Sequence, residues 1–175
     1  MMSIRKALPE DAQIISEIGK ISFAQSHPHA APNEILSEYL NEKFHPEKIH
    51  EEILDENNIF HLISYNLKVV GFSKIQPDSK HEFVSENPVC KLERLYLLEA
   101  YHGKRLGPLF YEFLEEFAKQ EKQKGFWLTV WVHNLRAIRF YEKNEFVTVG
   151  ETNFSLSENY SNPNHVMYKS FNEGS

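Results

Sequence analysis

The chain of 175 residues is predicted to fold as one α/β domain, with helices flanking a mixed central sheet of about seven strands. Three observations carry that expectation. Strand and helix patterns alternate from Val89 onward, two β-rich runs meet at a tight turn on Asn66-Leu67, and apolar residues from Leu109 to Ala118 recur at helical spacing.

Ser3 to Ala7 reads as the first strand, and Pro9-Glu-Asp-Ala opens a helix with Ile14, Ile15, Ile18 and Ile21 on its apolar face. Asn33 is expected to cap a second helix, with Ile35, Leu36, Tyr39 and Leu40 turned inward. Pro46 starts a third, carrying Ile49, Ile53 and Leu54, and Asn57-Asn58 ends it. Ile59 to Tyr65 and Lys68 to Gln76 form the hairpin. Pro77 to Pro88 is polar and aperiodic, hence a loop. Val89 to Leu98 is a strand, and Leu109, Phe110, Phe113, Leu114, Phe117 and Ala118 mark a helix that begins at Leu106. Gly125 resets the chain for a strand from Phe126 to His133. Asn134 caps a helix to Lys143, and strands at Phe146 to Gly150 and Val166 to Phe171 complete the sheet.

Composition narrows the function. The chain is 41% hydrophobic, enough for one buried core, and has no repeat or linker, so residues 1–175 are expected to form a single domain. No apolar run approaches the roughly 18 residues of a membrane span, and the N-terminus lacks a signal-peptide stretch. Cys90 is alone and cannot form an internal disulfide, so a cytoplasmic protein without a membrane partner is expected. The net charge of −6 carries no basic stripe, which argues against nucleic acid. It is weakly compatible with cationic substrates. Among nine histidines only His27-Pro28-His29 is closely spaced, without a carboxylate or thiol framework, so no metal is expected. Cys90 has no His/Asn frame to make it a nucleophile.

The segment Lys91 to Gly107 runs a strand into a short basic, glycine-containing turn that opens an amphipathic helix. The first N–H groups of a helix are unpaired and sit at the positive end of its dipole, so this turn suits a phosphate. Farther on, Asn134 and Tyr141 stand seven residues apart, two turns along one helix face, and can meet one ligand.

This order of strand, phosphate turn, helix, strand, Asn134 and Phe140-Tyr141 resembles the GCN5-related N-acetyltransferases. The resemblance implies a mostly antiparallel sheet and acetyl-CoA as co-substrate, with direct transfer to a small-molecule primary amine. The family's phosphate signature is Gln/Arg-x-x-Gly-x-Gly/Ala. Here it reads His102-Gly103-Lys104-Arg105-Leu106-Gly107, followed by Pro108 and Leu109, with His102 and Arg105 departing from the pattern. Residues His102 to Leu109 are thereby implied in cofactor binding, and the backbone of Leu95, Tyr96 and Leu97 in pairing with pantetheine. Asn134 is implied to contact pantetheine, and Ala137 to leave room for it.

In such enzymes the tyrosine at the place of Tyr141 protonates the departing thiolate. Glu93 is the candidate base, with water relays as the alternative. Strand alternation is expected to set Lys91, Glu93, Leu95 and Leu97 on one face, opposite Leu92, Arg94 and Tyr96. His133 is a candidate for the acceptor side. Leu92-Glu-Arg-Leu-Tyr-Leu and Asn134-x-x-Ala-Ile-x-Phe-Tyr-Glu-Lys look most like the PaiA-type spermidine/spermine acetyltransferases. That implies a polyamine acceptor, for which Glu34, Glu38, Glu42 and Glu51 are candidate contacts or simply a solvated face. A CoA-binding regulator without turnover and a protein or peptide N-acetyltransferase remain the alternatives, and a homodimer is left open.

Overall fold

A computed structural model describes residues 1–172. Seven strands form one sheet in the order β1-β2-β3-β4-β5-β7-β6: β1 (Met2–Lys6), β2 (Ile59–Tyr65), β3 (Lys68–Gln76), β4 (Cys90–Leu97), β5 (Gly125–Trp131), β6 (Val147–Ser157) and β7 (Tyr160–Ser170). Among the described residues five α-helices flank it: α1 (Ala12–Ser26), α2 (Asn33–Lys43), α3 (Pro46–Leu54), α4 (Leu106–Gln120) and α5 (Leu135–Lys143). Every strand pair is antiparallel except β4–β5.

Each sheet face has its own core. Leu106, Phe110, Leu114 and Ala118 of α4 pack on Leu92, Phe126, Leu128 and Val130. On the other face Ile15, Ile18 and Phe23 of α1, with Phe44 and Ile49, cover Phe60, Leu62 and Phe72. Burying a side chain of this kind stabilises the fold by about 1.5–3 kcal/mol. The apolar stripe of α1 is narrower than expected: Ile21 is 49% exposed, because Ile15, Ile18 and Ser22 define the inward line.

The hairpin turn falls on Asn66 and Leu67, both at positive φ (49° and 68°), the geometry that suits a two-residue connection. One cap differs from expectation, whereas α3 starts at Pro46 as expected. Pro32 occupies the N-cap of α2 and Asn33 is already helical, while α3 is capped by His45, whose Nδ1 accepts from the Glu47 N–H at 3.2 Å. The last two strands run eleven residues each, well beyond Gly150 and starting well before Val166. Their outer halves are polar, so the pairing of Thr152 with Asn164 and Phe154 with Asn162 carries almost no hydrophobic signal.

The expected loop between β3 and β4 has neither helix nor strand, yet it is strapped to the sheet. The Ser79 carbonyl accepts from Trp127 Nε1 at 2.6 Å, and Asp78 exchanges hydrogen bonds with Gln123.

Candidate active site

β4 and β5 share only two register pairs, Cys90 with Phe126 and Lys91 with Trp127. Beyond Lys91 they part, and the backbone edge of β4 that faces β5 has no strand partner among the described residues. On the other edge β4 stays paired with β3 as far as Leu97 opposite Gly71, and the Leu98 N–H donates to the Val70 carbonyl. Alternation therefore turns the polar groups of Tyr96 and Leu98 toward β3, and those of Leu95 and Leu97 toward the opening. A methyl group on Gly71 would strike the Tyr96 carbonyl oxygen, which fixes that direction. Of the three residues expected to offer backbone groups, Leu95 and Leu97 do so and Tyr96 does not.

The turn after β4 presents an uninterrupted run of donors. The N–H groups of Gly103, Lys104, Arg105, Leu106 and Gly107 meet no acceptor among the described residues. Gly103 (φ 81°) and Arg105 (φ 62°) both lie in the left-handed region, the alternation that turns successive N–H groups into one anion-binding concavity. Arg105 thus keeps the conformation that a glycine adopts freely, at a cost of about 1–2 kcal/mol for a residue with a Cβ.

The other three residues of the segment bind nothing outward through the backbone. Pro108 has no N–H, the Leu109 N–H returns to the Arg105 carbonyl at 3.2 Å, and the His102 N–H donates to Glu99. The His102 ring is also engaged, its Nε2 donating to the Leu97 carbonyl at 2.9 Å. His102 holds the turn to the strand end in place of reaching for a phosphate.

α5 closes the other side of the opening. Asn134 caps it, with Oδ1 accepting from the Ala137 N–H at 3.3 Å. Ala137, Phe140 and Tyr141 lean on the α4-side core, and no residue of α5 is fully buried. Burial raises the Tyr141 phenol far above its ordinary range, and the neighbouring Tyr96 raises it further. Tyr96 itself is pushed up to about 12, mainly by burial. Both phenols are therefore protonated at neutral pH. Gly107 leaves ordinary contact room, since a Cβ there would lie 3.6 Å from Phe140.

Glu93 stays opposite Leu92 as expected, but it does not share a face with Leu95 and Leu97. β4 pairs Leu92 with Ile75 and Arg94 with Lys74, which leaves Glu93 as the extra residue of a β-bulge. The bulge resets the alternation. Leu92, Leu95 and Leu97 all join the α4-side core, while Glu93, Arg94 and Tyr96 turn to the α1–α3 side. There Lys74 Nζ lies 2.6 Å and Arg94 3.3 Å from the same Glu52 oxygen, and Lys91 Nζ lies 2.6 Å from Glu93 Oε2. Oε2 is buried and is engaged by this contact with the Lys91 ammonium. Burial pulls the Glu93 carboxyl upward, but Lys91, and then Lys74 and Arg94, outweigh it and hold the group below its ordinary value.

Aromatic rings complete this side. Phe23 stacks on His27 with centroids 3.8 Å apart, His27 lies 5.4 Å from Trp131, and Tyr39 packs between Phe23 and Phe154. His27 Nδ1 points at the Phe23 carbonyl at 3.0 Å, so it carries the proton and Nε2 is a free lone pair. Sequence reasoning saw His27 only as half of a His-Pro-His pair and missed Tyr39 and Trp131, since aromatics on a helix or strand read as core. His133 is exposed at the end of this row, 5.2 Å from Trp131. Glu34, Glu38, Glu42 and Glu51 are all exposed and form a solvated surface. Cys90 is buried and its thiol pushed up to about 12 by that burial, so it is no nucleophile. No cluster of metal-binding side chains occurs among the described residues.

A crevice with a free strand edge, a concave run of N–H groups and a protonated phenol has the form of an acyl-CoA transferase site. Residues 25–146 match the Acetyltransferase (GNAT) family, and the chain belongs to it. It is accordingly an acetyl-CoA-dependent N-acetyltransferase. An uncharacterized N-acetyltransferase of Lactobacillus delbrueckii subsp. lactis is 28% identical over 154 residues, spanning 87% of this chain and 86% of its own. The spermine/spermidine N(1)-acetyltransferase of Bacillus subtilis is 28% identical over 92 residues, 52% of this chain and 60% of that one. Among solved structures, the PaiA N-acetyltransferase of Thermoplasma acidophilum in complex with coenzyme A superposes with a TM-score of 0.76 at 22% identity, covering 98% of this chain and 99% of that one.

Proposed function

We propose that the protein acetylates a small primary amine by direct attack within a ternary complex, with polyamines as the acceptor class. The observation that carries the reading is the run of unpaired N–H groups from Gly103 to Gly107 beside the free edge of β4. Those donors fit a pyrophosphate, and the Leu95 and Leu97 backbone fits the amides of a pantetheine arm, one of whose acceptors, the Leu97 carbonyl, is shared with His102. Acetyl-CoA supplies the thioester; the chain supplies binding, orientation and proton handling.

The acceptor arrives on the α1–α3 side, between Glu93 and the rings of Tyr39, Tyr96 and Trp131. A free ammonium with a pKa of about 10.4 must lose a proton, at a cost of about 4–5 kcal/mol at neutral pH. Glu93, ionised and with Oε2 held by Lys91, orients the ammonium and passes its proton on. A carboxylate held below its ordinary value relays a proton better than it stores one. Tyr141 donates to the departing sulfur from the other side.

Polyamines are supported by the activity named for the B. subtilis relative. The exposed glutamates of α2 and α3 add nothing to it. The lone buried thiol of Cys90 accords with a cytoplasmic setting.

A CoA-release assay with polyamines, amino acids and peptides tests the reading. Turnover of spermidine or spermine above the others is the expected result. Calorimetric binding of acetyl-CoA without release by any amine would turn the reading to a CoA-binding regulator.

A further inference from the structure

Trp127 occupies an unusual position. It is the register partner of Lys91 in the last rung that joins β4 to β5. Its indole is 5% exposed and fixed from behind, with Nε1 donating to the Ser79 carbonyl at 2.6 Å and the His81 ring 4.6 Å away. Lys91 Nζ lies 4.9 Å above this indole and 2.6 Å from Glu93 Oε2. An ammonium over an aromatic face is steered by the ring's quadrupole, and a flexible four-carbon side chain gains a defined direction.

We infer that Lys91 is a positioning residue for the transfer: laid along Trp127, its ammonium holds the Glu93 carboxylate on the acceptor side of the sheet. The inference rests on the reading of Glu93 as the group that takes the amine's proton.

No other cation can take over. Lys74 of β3 and Arg94 of β4 also face Glu93, but both are committed to Glu52 of α3. The Tyr39 phenol of α2 and the Tyr96 phenol of β4 are also on this side, both raised by burial and neutral, as is His27 at the end of α1, kept neutral by its burial, with His133 exposed beyond Trp131. Among the described residues Lys91 is therefore the cation in direct contact with this carboxylate. The bulge explains why one is needed. Glu93 is displaced from the β3 register just where β5 diverges, so neither neighbouring strand restrains its backbone through pairing. Lys91 sits two residues back, where both strands are still joined.

Removing the charge leaves burial acting on the Glu93 carboxyl against Lys74 and Arg94 alone, so its protonation moves to higher pH. Lys91→Met keeps the length that lies on Trp127 and deletes the charge; Lys91→Arg restores a cation. The carboxyl is read directly by 13C NMR titration of Glu-labelled protein, assigned with Glu93→Gln, and the reaction by the acidic limb of kcat/KM. In Lys91→Met both should move upward by about one pH unit, the lower end of what an opposite charge at contact distance imposes. Lys91→Arg should bring both back, and unchanged thermal unfolding would show that the fold is intact.

Two results overturn the inference differently. A Glu93 signal that does not move would show that Lys91 does not govern the carboxyl. A signal that moves while the rate limb stays would remove Glu93, and Lys91 with it, from the reaction, and would leave only an ion pair.

Discussion

The His102 imidazole is bonded to the Leu97 carbonyl, Nε2 to oxygen 2.9 Å, so the residue that begins the phosphate turn is tied to the last residue of the strand before it. The bond sets the angle between the free edge of β4 and the N–H run that follows. It also occupies one of the strand-end acceptors that would otherwise face the opening.

His102→Ala should weaken acetyl-CoA binding without touching a phosphate contact, because the turn then samples other angles. A neutral hydrogen bond contributes about 0.5–1.5 kcal/mol, so the dissociation constant should rise by about 2- to 10-fold, with little change in kcat at saturation. Calorimetry checks it. A larger fall in kcat than in affinity would place the ring in the chemistry.

Arg105 at φ 62° invites the opposite substitution. Arg105→Gly relieves the left-handed strain and should stabilise the fold by up to about 1 kcal/mol. It also deletes a guanidinium from the rim of the N–H run, so acetyl-CoA affinity should fall and its salt dependence should flatten. Denaturant unfolding and calorimetry at two salt concentrations separate the effects. Equal affinity at both salts in wild type and variant would mean that the side chain faces away from the phosphates.

Most of the fold was legible because it rests on local signals. The Asn66-Leu67 turn, the Pro46 helix start and the Leu109–Ala118 stripe each specify their element alone. The N–H run was legible for the same reason, as a basic turn between a strand and a helix. What escaped depends on partners. The bulge at Glu93 exists only in register with Lys74 and Ile75, so alternation within β4 alone grouped Glu93 with Leu95 and Leu97 and set Arg94 and Tyr96 apart from it. The outer halves of β6 and β7 are polar and are joined by backbone pairing, with Pro163 opposite Asn153, a residue that normally argues against an inner strand. The aromatic row of Phe23, His27 and Trp131 joins a helix end to a strand end more than 100 residues away.

Acid should destabilise the protein through two imidazoles, the buried His61 and the half-buried His27. His27 and His61 are each lowered to about 4, chiefly by burial. Their folded values lie below the unfolded value of about 6.5, so the unfolded chain takes up protons first. Stability complete above pH 6.5 is then lost as the pH falls toward 4, by up to about 3 kcal/mol for each ring. His61 stands edge-on to Phe113 and Phe117, and its Nδ1 has no partner, so His61→Phe fits the site. That variant should show a shallower decline of Tm between pH 7 and 4.5 (about half the slope, if both rings contribute alike). A decline identical to wild type would show that His61 titrates normally.

Tyr141 is the sharpest test of the chemistry. Its phenol is kept protonated by burial and by Tyr96, and it lies on α5 across the opening from the β4 edge. A neutral donor facing a nascent thiolate lowers the barrier only while it holds its proton, and the raised phenol holds it well beyond neutral pH. Tyr141→Phe keeps the ring packed on Phe140 and Phe146, so the fold and acetyl-CoA affinity should survive. Turnover at saturation should fall by about 10²-fold, the usual contribution of a positioned acid. The loss should be smaller with an acyl donor whose thiol is more acidic, because such a leaving group needs less protonation. Stopped-flow comparison of the two donors checks this, and an equal loss with both would show that Tyr141 shapes the crevice without giving up its proton.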